Sequence, residues 1–526
     1  MSALQLLPRC LVICGLVALA TSVGAQALFP ITGYRVLGNS LLSSQQLDAV
    51  TRPFLGASSE FETIQKALEA LERAYVSAGY GSVKVELPEQ ELDAGVVTLQ
   101  VVEGALGEVA VEPNPFFDAA NVRHSLPALQ PGLPVNIFDL NRNLVLANEG
   151  GAKITNVTFK RSVNLKDVDV TVKLQGDNPE RWLTVLDNTG SDLNGLYRLG
   201  LVYQHANVFN RDHAISMQLM SSPGQWGQVR ILGASYKVPL YKWGSTVDLS
   251  LSDSNVESRG TVAGTDIAAV GKGSILGLRW TRNLDSSVDM HHKLSLGLES
   301  RRYGNNGNTG ESALSTVPLT VSYISNWRSA QREWSVGGTW LKNVPAGPYG
   351  WTEDLAGSGG RVGADAGFHT WKFNLQWIER FANLWSLRGA LSAQTTTDLL
   401  IAAEQFGAGG ADSVRGFTER EVSGDQGLRW GFELALSPWG SDPWRVNPMV
   451  FVEGAAVRRN SPLAGETDQI SIASAGWGLR AAYGRHASLR VDWGFVLRGL
   501  ESAPGASTGG AQRGQSKLHS TLVWIY

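Results

Sequence analysis

The chain has almost no cysteine. Its two cysteines, Cys10 and Cys14, both lie in the first 27 residues. Beyond residue 27 the chain therefore cannot use disulfide bonds or thiolate metal sites, and its stability must come from other interactions. Long hydrophobic runs are also scarce, because no stretch after residue 27 approaches the ~20 apolar residues that a membrane-spanning helix needs.

Charge of one sign is not in excess either. The chain has 45 Lys and Arg against 48 Asp and Glu, a net charge of -3, and only 18% of its residues are charged. This balance does not predict a nucleic-acid-binding surface. The eight histidines are scattered, and no Ser/His/Asp spacing or metal-ligand pattern emerges. The sequence therefore predicts no enzyme activity, no cofactor or metal, and no nucleic-acid partner.

The first 27 residues predict a secretory signal peptide. They carry one charge, Arg9, followed by an apolar run over residues 11–20 and by Ala-Gln-Ala at positions 25–27. This order matches the basic region, apolar region and cleavage site of such signals. A membrane anchor is the alternative, but the apolar run is too short for one. An exported chain without spanning helices is either soluble outside the cytoplasm or crosses a membrane as strands.

Tryptophan divides the chain into two unlike parts. All 17 tryptophans lie between Trp182 and Trp524, and residues 28–181 contain none. Because tryptophan concentrates where a lipid-facing surface meets water, this asymmetry predicts a soluble N-terminal part followed by a transmembrane β-barrel over residues 179–526. A large soluble β-domain with tryptophans in its core is the alternative on composition alone.

Strand periodicity favours the barrel. In segment 488–498, leucine, valine, tryptophan and phenylalanine occupy one face, and two arginines, an aspartate and a glycine share the other with Val496. Segments 428–436 and 371–377 alternate in the same way. The polar face is rich in glycine and carries both signs of charge, which suits a water-filled lumen.

Sixteen such segments follow one another. The predicted strands cover residues 182–189, 196–204, 213–221, 229–237, 245–252, 274–282, 292–300, 315–323, 333–341, 369–379, 384–394, 428–437, 447–457, 475–484, 487–496 and 516–526. Long connections at 253–273, 301–314, 342–368, 395–427, 458–474 and 497–515 alternate with tight turns. An even strand number with long loops on one rim is typical of an outer-membrane barrel.

The residues before the barrel predict two α+β domains in tandem. In the first domain, residues 28–103, helices are expected from Ser43 and from a capping box that joins Ser59 to Glu62, with Gly79 ending the second. They lie between strands at 31–37, 82–88 and 96–102. In the second domain, residues 104–178, the same order returns as strand 106–112, a helix from Asp118, helix 137–147, and strands 153–160 and 168–174.

These patterns resemble a known family. The segment FGAGGADSVRGF at 406–417 and the segment LPALQPGLPVNIFDLNRNLVLAN at 126–148 are similar to those of the haemolysin secretion and activation family of two-partner secretion transporters. That family has two POTRA (polypeptide-transport-associated) domains followed by a sixteen-stranded barrel. The resemblance therefore implies a mainly β fold, with POTRA domains at 28–103 and 104–178 and an antiparallel barrel at 179–526.

The resemblance also implies a site. Loop 395–427, between strands 11 and 12, is expected to fold into the barrel lumen with the motif Val414-Arg415-Gly416-Phe417. In the family the arginine meets an acidic residue on the inner wall of strand 13. There the family has an aromatic residue or glycine, then aspartate, then glycine at alternate positions, whereas this chain reads FVEGA over residues 451–455. Glu453 is therefore the expected partner, one methylene longer than aspartate, and the glycine is displaced by one position.

Trp524 and the terminal Tyr526 add a second functional signal. Aromatic residues at the end of the last barrel strand resemble the signal read by the machinery that inserts outer-membrane barrels in Gram-negative bacteria. That assembly machinery and outer-membrane lipid are therefore expected partners during and after insertion. Strand-like sequence starts about four residues after the expected cleavage site, so the plug helix that many family members carry is not expected here.

The function implied by the resemblance is protein export. The barrel would pass a large unfolded exoprotein from the periplasm to the cell surface, with this client bound at periplasmic POTRA domains and the transporter monomeric. A haemolysin, an adhesin or a contact-dependent toxin would each be a possible client. Three alternatives are a barrel-assembly insertase of the same superfamily, a passive diffusion porin, and a structural or adhesive β-protein, which would leave the terminal Tyr526 without a role.

Overall fold

A computed structural model gives the architecture of most of the chain. It describes residues 28–91, 95–164, 167–190, 195–227, 229–255, 259–261, 268–270, 272–284, 289–304, 314–357, 360–382, 384–462, 467–500 and 510–526. The predicted signal peptide, with Cys10 and Cys14, lies outside the described residues. The chain divides into two compact units, Met1–Ala105 and Leu106–Tyr526.

The first unit is an α+β domain. Its elements are β1 (Phe29–Ile31), β2 (Gly33–Leu37), α1 (Ser44–Thr51), a 3-10 turn (Arg52–Phe54), β3 (Gly56–Ser59), α2 (Phe61–Ser77), β4 (Val83–Glu86) and β5 (Val96–Glu103). The main sheet has the order β2-β5-β4, with β2 parallel to β5 and β4 antiparallel to it, while β1 and β3 form a separate two-stranded pair. Strands β2 and β4 are thus the edges of the main sheet.

The core of this unit lies between α2 and the main sheet. Helix α2 contributes apolar side chains at helical spacing, and Leu71 and Tyr75 are fully buried against Val97 and Leu99 of β5. Helix α1 follows Ser43, as predicted, and begins with a capping box in which Ser43 Oγ accepts from Gln46 N and Ser43 N donates to Gln46 Oε1 at 2.9 Å.

The capping box predicted at Ser59 and Glu62 is wrong. Ser59 is the last residue of β3, where it pairs with Phe29 of β1, and helix α2 begins at Phe61 after Glu60. The N-cap residue Glu60 makes no side-chain capping bond. Strand pairing of β3 with β1 takes up the residue that would otherwise cap the helix.

The larger compact unit begins with a second α+β unit, which repeats this order directly before the barrel. It comprises β6 (Leu106–Val111), α3 (Ala119–Ser125), α4 (Ile137–Glu149), β7 (Lys153–Arg161) and β8 (Val168–Gly176), with sheet order β6-β8-β7. Asp118 and Asn136 cap the two helices by accepting hydrogen bonds from backbone N–H groups. No helix among the described residues is both long enough and apolar enough to cross a membrane.

The rest of the chain forms a closed antiparallel barrel of sixteen strands, as predicted. Barrel strands 1 to 16 are Glu180–Asp187, Arg198–Val208, His213–Ser221, Ile231–Leu240, Ser245–Ser254, Gly273–Asn283, Met290–Tyr303, Leu314–Thr316 continued by Pro318–Arg328, Arg332–Asn343, His369–Arg380, Ser386–Thr395, Gln426–Ala435, Trp444–Arg458, Gln469–Tyr483, Ala487–Arg498 and Ser516–Ile525. Every predicted strand overlaps the observed one. The largest boundary error is at strand 14, which begins at Gln469 rather than at residue 475.

Three small elements lie in the long loops. They are the short helix α5 (Thr352–Ala356), the hairpin Arg259–Thr261 with Ala268–Val270, and the hairpin Phe406–Ala408 with Val422–Gly424. The second α+β unit contacts two of the tight turns. Because tight turns are periplasmic and long loops extracellular in outer-membrane barrels, this rim is the periplasmic one.

The two faces of the barrel strands differ as the sequence predicts. On strand 15, Trp493, Phe495 and Leu497 are 40%, 40% and 50% exposed on the outer face, where the lipid lies, whereas the inward-facing Asp492 is fully buried. Strand 16 closes the barrel on strand 1 through five residue pairs, from Thr521 to Ile525. The sheet therefore has no free edge within the membrane.

Candidate functional site: the in-folded loop

The loop between strands 11 and 12 turns back into the barrel. After strand 11 the chain runs through residues 396–405, forms the hairpin Phe406–Ala408 with Val422–Gly424, and carries the predicted motif at the tip of that hairpin. The tip contacts inward-facing side chains of strands 12, 13, 15 and 16. The loop therefore lies in the lumen against one part of its wall.

Arg415 is the centre of these contacts. It is 1% exposed and therefore almost completely buried. Its guanidinium donates to both carboxylate oxygens of Glu453, with Nε 3.1 Å from Oε2, and its backbone N–H donates to the same oxygen at 2.8 Å. Glu453 thus binds the side chain and the main chain of the loop at once, which a partner that reached the guanidinium alone could not do.

Two further carboxylates share the arginine. Arg415 Nη2 donates to Glu433 Oε1 of strand 12 at 2.7 Å, and Nη1 lies 3.3 Å from Asp492 Oδ1 of strand 15. The guanidinium carbon also stacks 3.5 Å from the centre of the Phe451 ring, a favourable cation–π position. The arginine therefore connects strands 12, 13 and 15 through one side chain, an arrangement called the tip latch below.

Apolar contacts and backbone fit hold the rest of the motif. Val414 and Phe417 are fully buried in a cluster with lumen-facing residues of strands 13, 14 and 15: Ala455, Val457, Ile472 and Val496. Gly416 has φ +95°, a conformation that favours glycine, and its N–H donates to His519 Nε2 of strand 16 at 3.1 Å. The loop backbone passes so close to Gly494 that a Cβ there would lie 2.5 Å from Gly416 N.

Charges around the tip latch are matched. Asp492 accepts from Arg480 Nη1 at 2.7 Å and from Arg490 Nε at 2.6 Å, and Arg490 also donates to Asp412 Oδ1 of the loop at 2.6 Å. The buried carboxylates thus have cationic partners on both the wall and the loop. A buried charge is tolerated only in such a paired state, so removal of one member leaves the others uncompensated.

A second set of contacts holds the two ends of the loop at the extracellular rim. Asp425, fully buried just before strand 12, accepts from Arg361 Nη1 at 2.6 and 2.7 Å and from the backbone N–H groups of Leu400 at 2.9 Å and Asn460 at 2.7 Å. Arg361 belongs to the connection between strands 9 and 10, and Asn460 to the one between strands 13 and 14. We call this set the root hub.

Glu404 attaches the first part of the loop to strands 7 and 8 of the barrel. It is 4% exposed, and it accepts from Arg301 Nη1 at 2.8 Å, from Tyr303 OH at 2.8 Å and from Thr316 Oγ1 at 3.0 Å. These three partners lie on strands 7 and 8. The loop is therefore held at its tip and at both ends by buried ionic groups.

Arg361→Ala is expected to loosen the extracellular connections. The substitution leaves Asp425 buried with backbone donors but no cation. Breaking a buried ion pair costs about 3–5 kcal/mol of stability, and we expect a cost near the lower end of this range. We expect new cleavage in residues 344–368 or 396–405 when protease is added to intact cells. Arg332→Ala is the matched control: its pair with Glu379 has Arg332 65% exposed, and such surface pairs contribute ~0–1 kcal/mol. Equal cleavage of the two variants would contradict the root hub.

The structure places the predicted site residues as follows. Val414, Arg415, Gly416 and Phe417 meet at the lumen wall, and Glu453 contacts Arg415. Trp524 lies on the outer face of strand 16, 42% exposed, and Tyr526 follows the strand with its N–H donating to Trp182 O at 2.9 Å.

Other members of the site were missed by sequence reasoning. Glu433 and Asp492 lie on strand faces that the alternation had already marked as inward, so the signal for them existed. Neither Arg361 nor Asp425 nor Glu404 had such a signal, since all three lie in loops whose packing no periodicity describes. In the part of the chain that the structure describes, no group of three or more His, Cys, Asp and Glu side chains could hold a metal ion.

Comparison with known proteins agrees with this architecture. The model of the family described as "Haemolysin secretion/activation protein ShlB/FhaC/HecB" matches residues 167–481, more than half of the chain, and that of "POTRA domain, ShlB-type" matches residues 29–104. The outer membrane transporter CdiB of Dickeya dadantii (strain 3937) is 23% identical over 440 residues, which cover 78% of this chain and 73% of that protein.

Two solved structures share the fold over nearly the whole length. CdiB from Escherichia coli superposes with a TM-score of 0.72 at 19% identity, covering 97% of this chain and 93% of that chain. CdiB from Acinetobacter baumannii gives a TM-score of 0.70 at 15% identity, with 95% of this chain and 90% of that chain covered. The likeness extends through both the N-terminal part and the barrel.

Proposed function

Because the chain belongs to the haemolysin secretion/activation protein family of outer-membrane two-partner secretion transporters, we propose that it exports one large, unfolded exoprotein from the periplasm to the cell surface. The barrel is the export pore. The two α+β units, which we assign as POTRA domains at 28–103 and 104–178, receive the client in the periplasm. The client is of the haemolysin or adhesin type.

The position of the in-folded loop carries this proposal. The loop tip lies against strands 12 to 16, so the wall formed by strands 2 to 7 is left to face a cavity of about 490 Å³ next to the second α+β unit. Lys237, Asp248, Arg279 and Glu299 line that cavity. A wet wall of mixed charge offers an unfolded chain many weak polar contacts and no strong one, which suits passage.

Sheet edges offer the client a binding mode in the periplasm. Strands β2 and β4 are the edges of the first sheet, and β6 and β7 are the edges of the second. An extended client segment can pair with such an edge through main-chain hydrogen bonds, which tolerate many side chains. Selectivity then comes from side-chain pockets beside the edge. Since the periplasm lacks ATP, folding of the client outside the cell gives the transfer its direction.

Co-expression with a candidate large exoprotein, sought first among the genes beside the one for this chain, tests the proposal. We expect the exoprotein to appear at the cell surface or in the medium only when the transporter is present. The matched control is an unrelated outer-membrane barrel expressed at the same level. Retention of the exoprotein in the periplasm despite a correctly inserted transporter would contradict the proposed function.

A further inference from the structure

The second α+β unit is joined to the barrel by a buried ion pair. Lys153 of β7 is 4% exposed, and its Nζ lies 2.7 Å from both carboxylate oxygens of Asp212, in the periplasmic turn between strands 2 and 3. The Asp212 side chain is only 9% exposed. A lysine and an aspartate taken out of water in this way have exchanged their hydration for each other.

Asn121 of α3 completes the contact from the unit's side. It is fully buried, its Oδ1 accepts from Lys153 Nζ at 2.6 Å, and its Nδ2 donates to Asp212 Oδ1 at 2.9 Å. The same amide also lies within hydrogen-bond distance of Asn207 Oδ1 at 3.1 Å and Asn210 O at 3.2 Å. One buried amide therefore contacts the end of strand 2 and two residues of the turn that follows it.

A second periplasmic turn takes part. Tyr241, between strands 4 and 5, is 4% exposed, and its hydroxyl donates to Asp212 Oδ2 at 2.6 Å. Its carbonyl accepts from Asn143 Nδ2 of α4 at 3.0 Å, and its ring packs with Leu146 and Ala147 of the same helix. The unit is thus fixed at α3, α4 and β7 to two turns. We call these contacts the docking hub.

The backbone of the first turn is shaped for this contact. Phe209, Asn210 and Asp212 have φ of 58°, 57° and 59°, in the left-handed region that non-glycine residues rarely adopt. Asparagine and aspartate tolerate this region better than other non-glycine residues, and both Asn210 and Asp212 contact the second α+β unit. Such conformations persist where the surroundings determine them, and here the surroundings are the docked unit.

We propose that Lys153, Asp212 and Asn121 are positioning residues for export: they hold the second α+β unit, and with it the sheet edge offered to the client, at one fixed place beside the open lumen wall. This inference rests on the proposed function. It goes beyond that function because it makes a specific periplasmic contact, remote from the tip latch, a requirement for export. The cavity beside the hub is the space that this docking keeps open, since Phe117, Glu149 and Lys153 of the unit line it together with the barrel wall.

The test combines a distance with a secretion assay. The described residues contain no cysteine, so spin labels can be placed at the exposed positions Thr158 on β7 and Lys242 in the second turn. The variants are Asp212→Ala and Lys153→Ala. The matched control is the double variant Asp177→Ala with Arg485→Ala. It removes an ion pair of similar length, 2.9 Å, between the same unit and another periplasmic turn, but the Asp177 and Arg485 side chains are 65% and 85% exposed.

For either hub variant we expect a broad distance distribution in outer membranes and secretion lower by about tenfold or more, because an uncompensated buried charge favours undocking. The control variant should keep both the narrow distribution and normal secretion. An unchanged distance in the hub variants would overturn the docking claim, and an undocked unit with normal secretion would overturn the positioning role.

A tether separates positioning from folding. Glu149 of α4 and Lys293 of strand 7 form an ion pair across the same junction at 2.7 Å, so Glu149→Cys and Lys293→Cys can be joined by a short bis-maleimide. Tethering should restore secretion to Asp212→Ala, which a misfolded variant could not recover. Restored docking without restored secretion would overturn the inference. If the wild-type chain exports no exoprotein, the proposed function fails, while the distance measurement still decides whether the hub docks the unit.

Discussion

Arg415→Ala is expected to give a transporter whose barrel folds and inserts normally but no longer secretes its exoprotein. The substitution removes the one cation that Glu453, Glu433 and Asp492 share at the loop tip. Because Arg415 is 1% exposed, the loss resembles breaking a buried ion pair, which costs about 3–5 kcal/mol. The barrel strands lose no backbone pairing, so insertion should be unaffected.

The consequence for the loop is large. A cost of about 3–5 kcal/mol changes the ratio of seated to released tip by more than about a hundredfold. The released loop then occupies the lumen without a fixed position. Secretion of the exoprotein should fall to background when it is expressed per inserted barrel. The amount of inserted barrel is measured by its heat-modified mobility on gels. Normal secretion by this variant would contradict the role given to Arg415.

Two further variants sharpen this prediction. Arg415→Lys keeps the charge but loses the fork that reaches several carboxylates, so partial secretion is expected. The charge exchange Arg415→Glu with Glu453→Arg should restore little, because the new glutamate would face Glu433 and Asp492. Full recovery by the exchange would mean that Glu453 alone matters and that the other two carboxylates do not contribute to the tip latch.

Gly494→Ala is expected to produce the same loss by steric means. A Cβ at this position of strand 15 would lie 2.5 Å from Gly416 N and 2.6 Å from the Arg415 carbonyl carbon. These are backbone atoms of the loop tip, so they cannot rotate away, and the tip must shift off the wall. The substitution changes none of the charged residues of the tip latch. We therefore expect an inserted barrel with strongly reduced secretion.

Gly337→Ala is the matched control. Gly337 faces the lumen from strand 9, and its nearest side-chain neighbour would be 3.5 Å from the new Cβ, an ordinary contact. It should secrete normally. If Gly494→Ala secretes as well as Gly337→Ala does, the loop tip does not need the close seat on strand 15.

Strand alternation carried most of the fold prediction. Outward apolar residues alternate with inward polar residues along each strand. This alternation is why segments such as 489–497 were located to within a few residues. Strand 14 was placed too short because its outward residues at 471, 473 and 475 are serine and alanine, while Ile470 and Ile472 carry the apolar character. Ile472 packs inside the barrel under the loop motif. Where the in-folded loop covers strand 14, the inward face is therefore the apolar one.

The site was predictable only in part. The motif at 414–417 and its partner Glu453 followed from the family resemblance, and the longer carboxylate is accommodated because it also accepts the Arg415 backbone N–H. Glu433 pairs with Phe451 across the sheet, two residues beyond the pair of Gly431 with Glu453, so the strand register places it on the same face and within reach of the same arginine. Loops have no such register, and for that reason the root hub and the docking hub could be found only in three dimensions.

The seat of the loop tip in the membrane-embedded protein is the central claim, and one distance tests it most directly. Spin labels at Thr418, exposed just after the motif, and at Asn374, exposed on the lumen face of strand 10, should give one narrow distance distribution in native outer membranes. In Arg415→Ala the same pair should give a broad distribution. A broad distribution in the wild-type background, or an unchanged narrow one in Arg415→Ala, would contradict the claim that Arg415 holds the loop against the lumen wall.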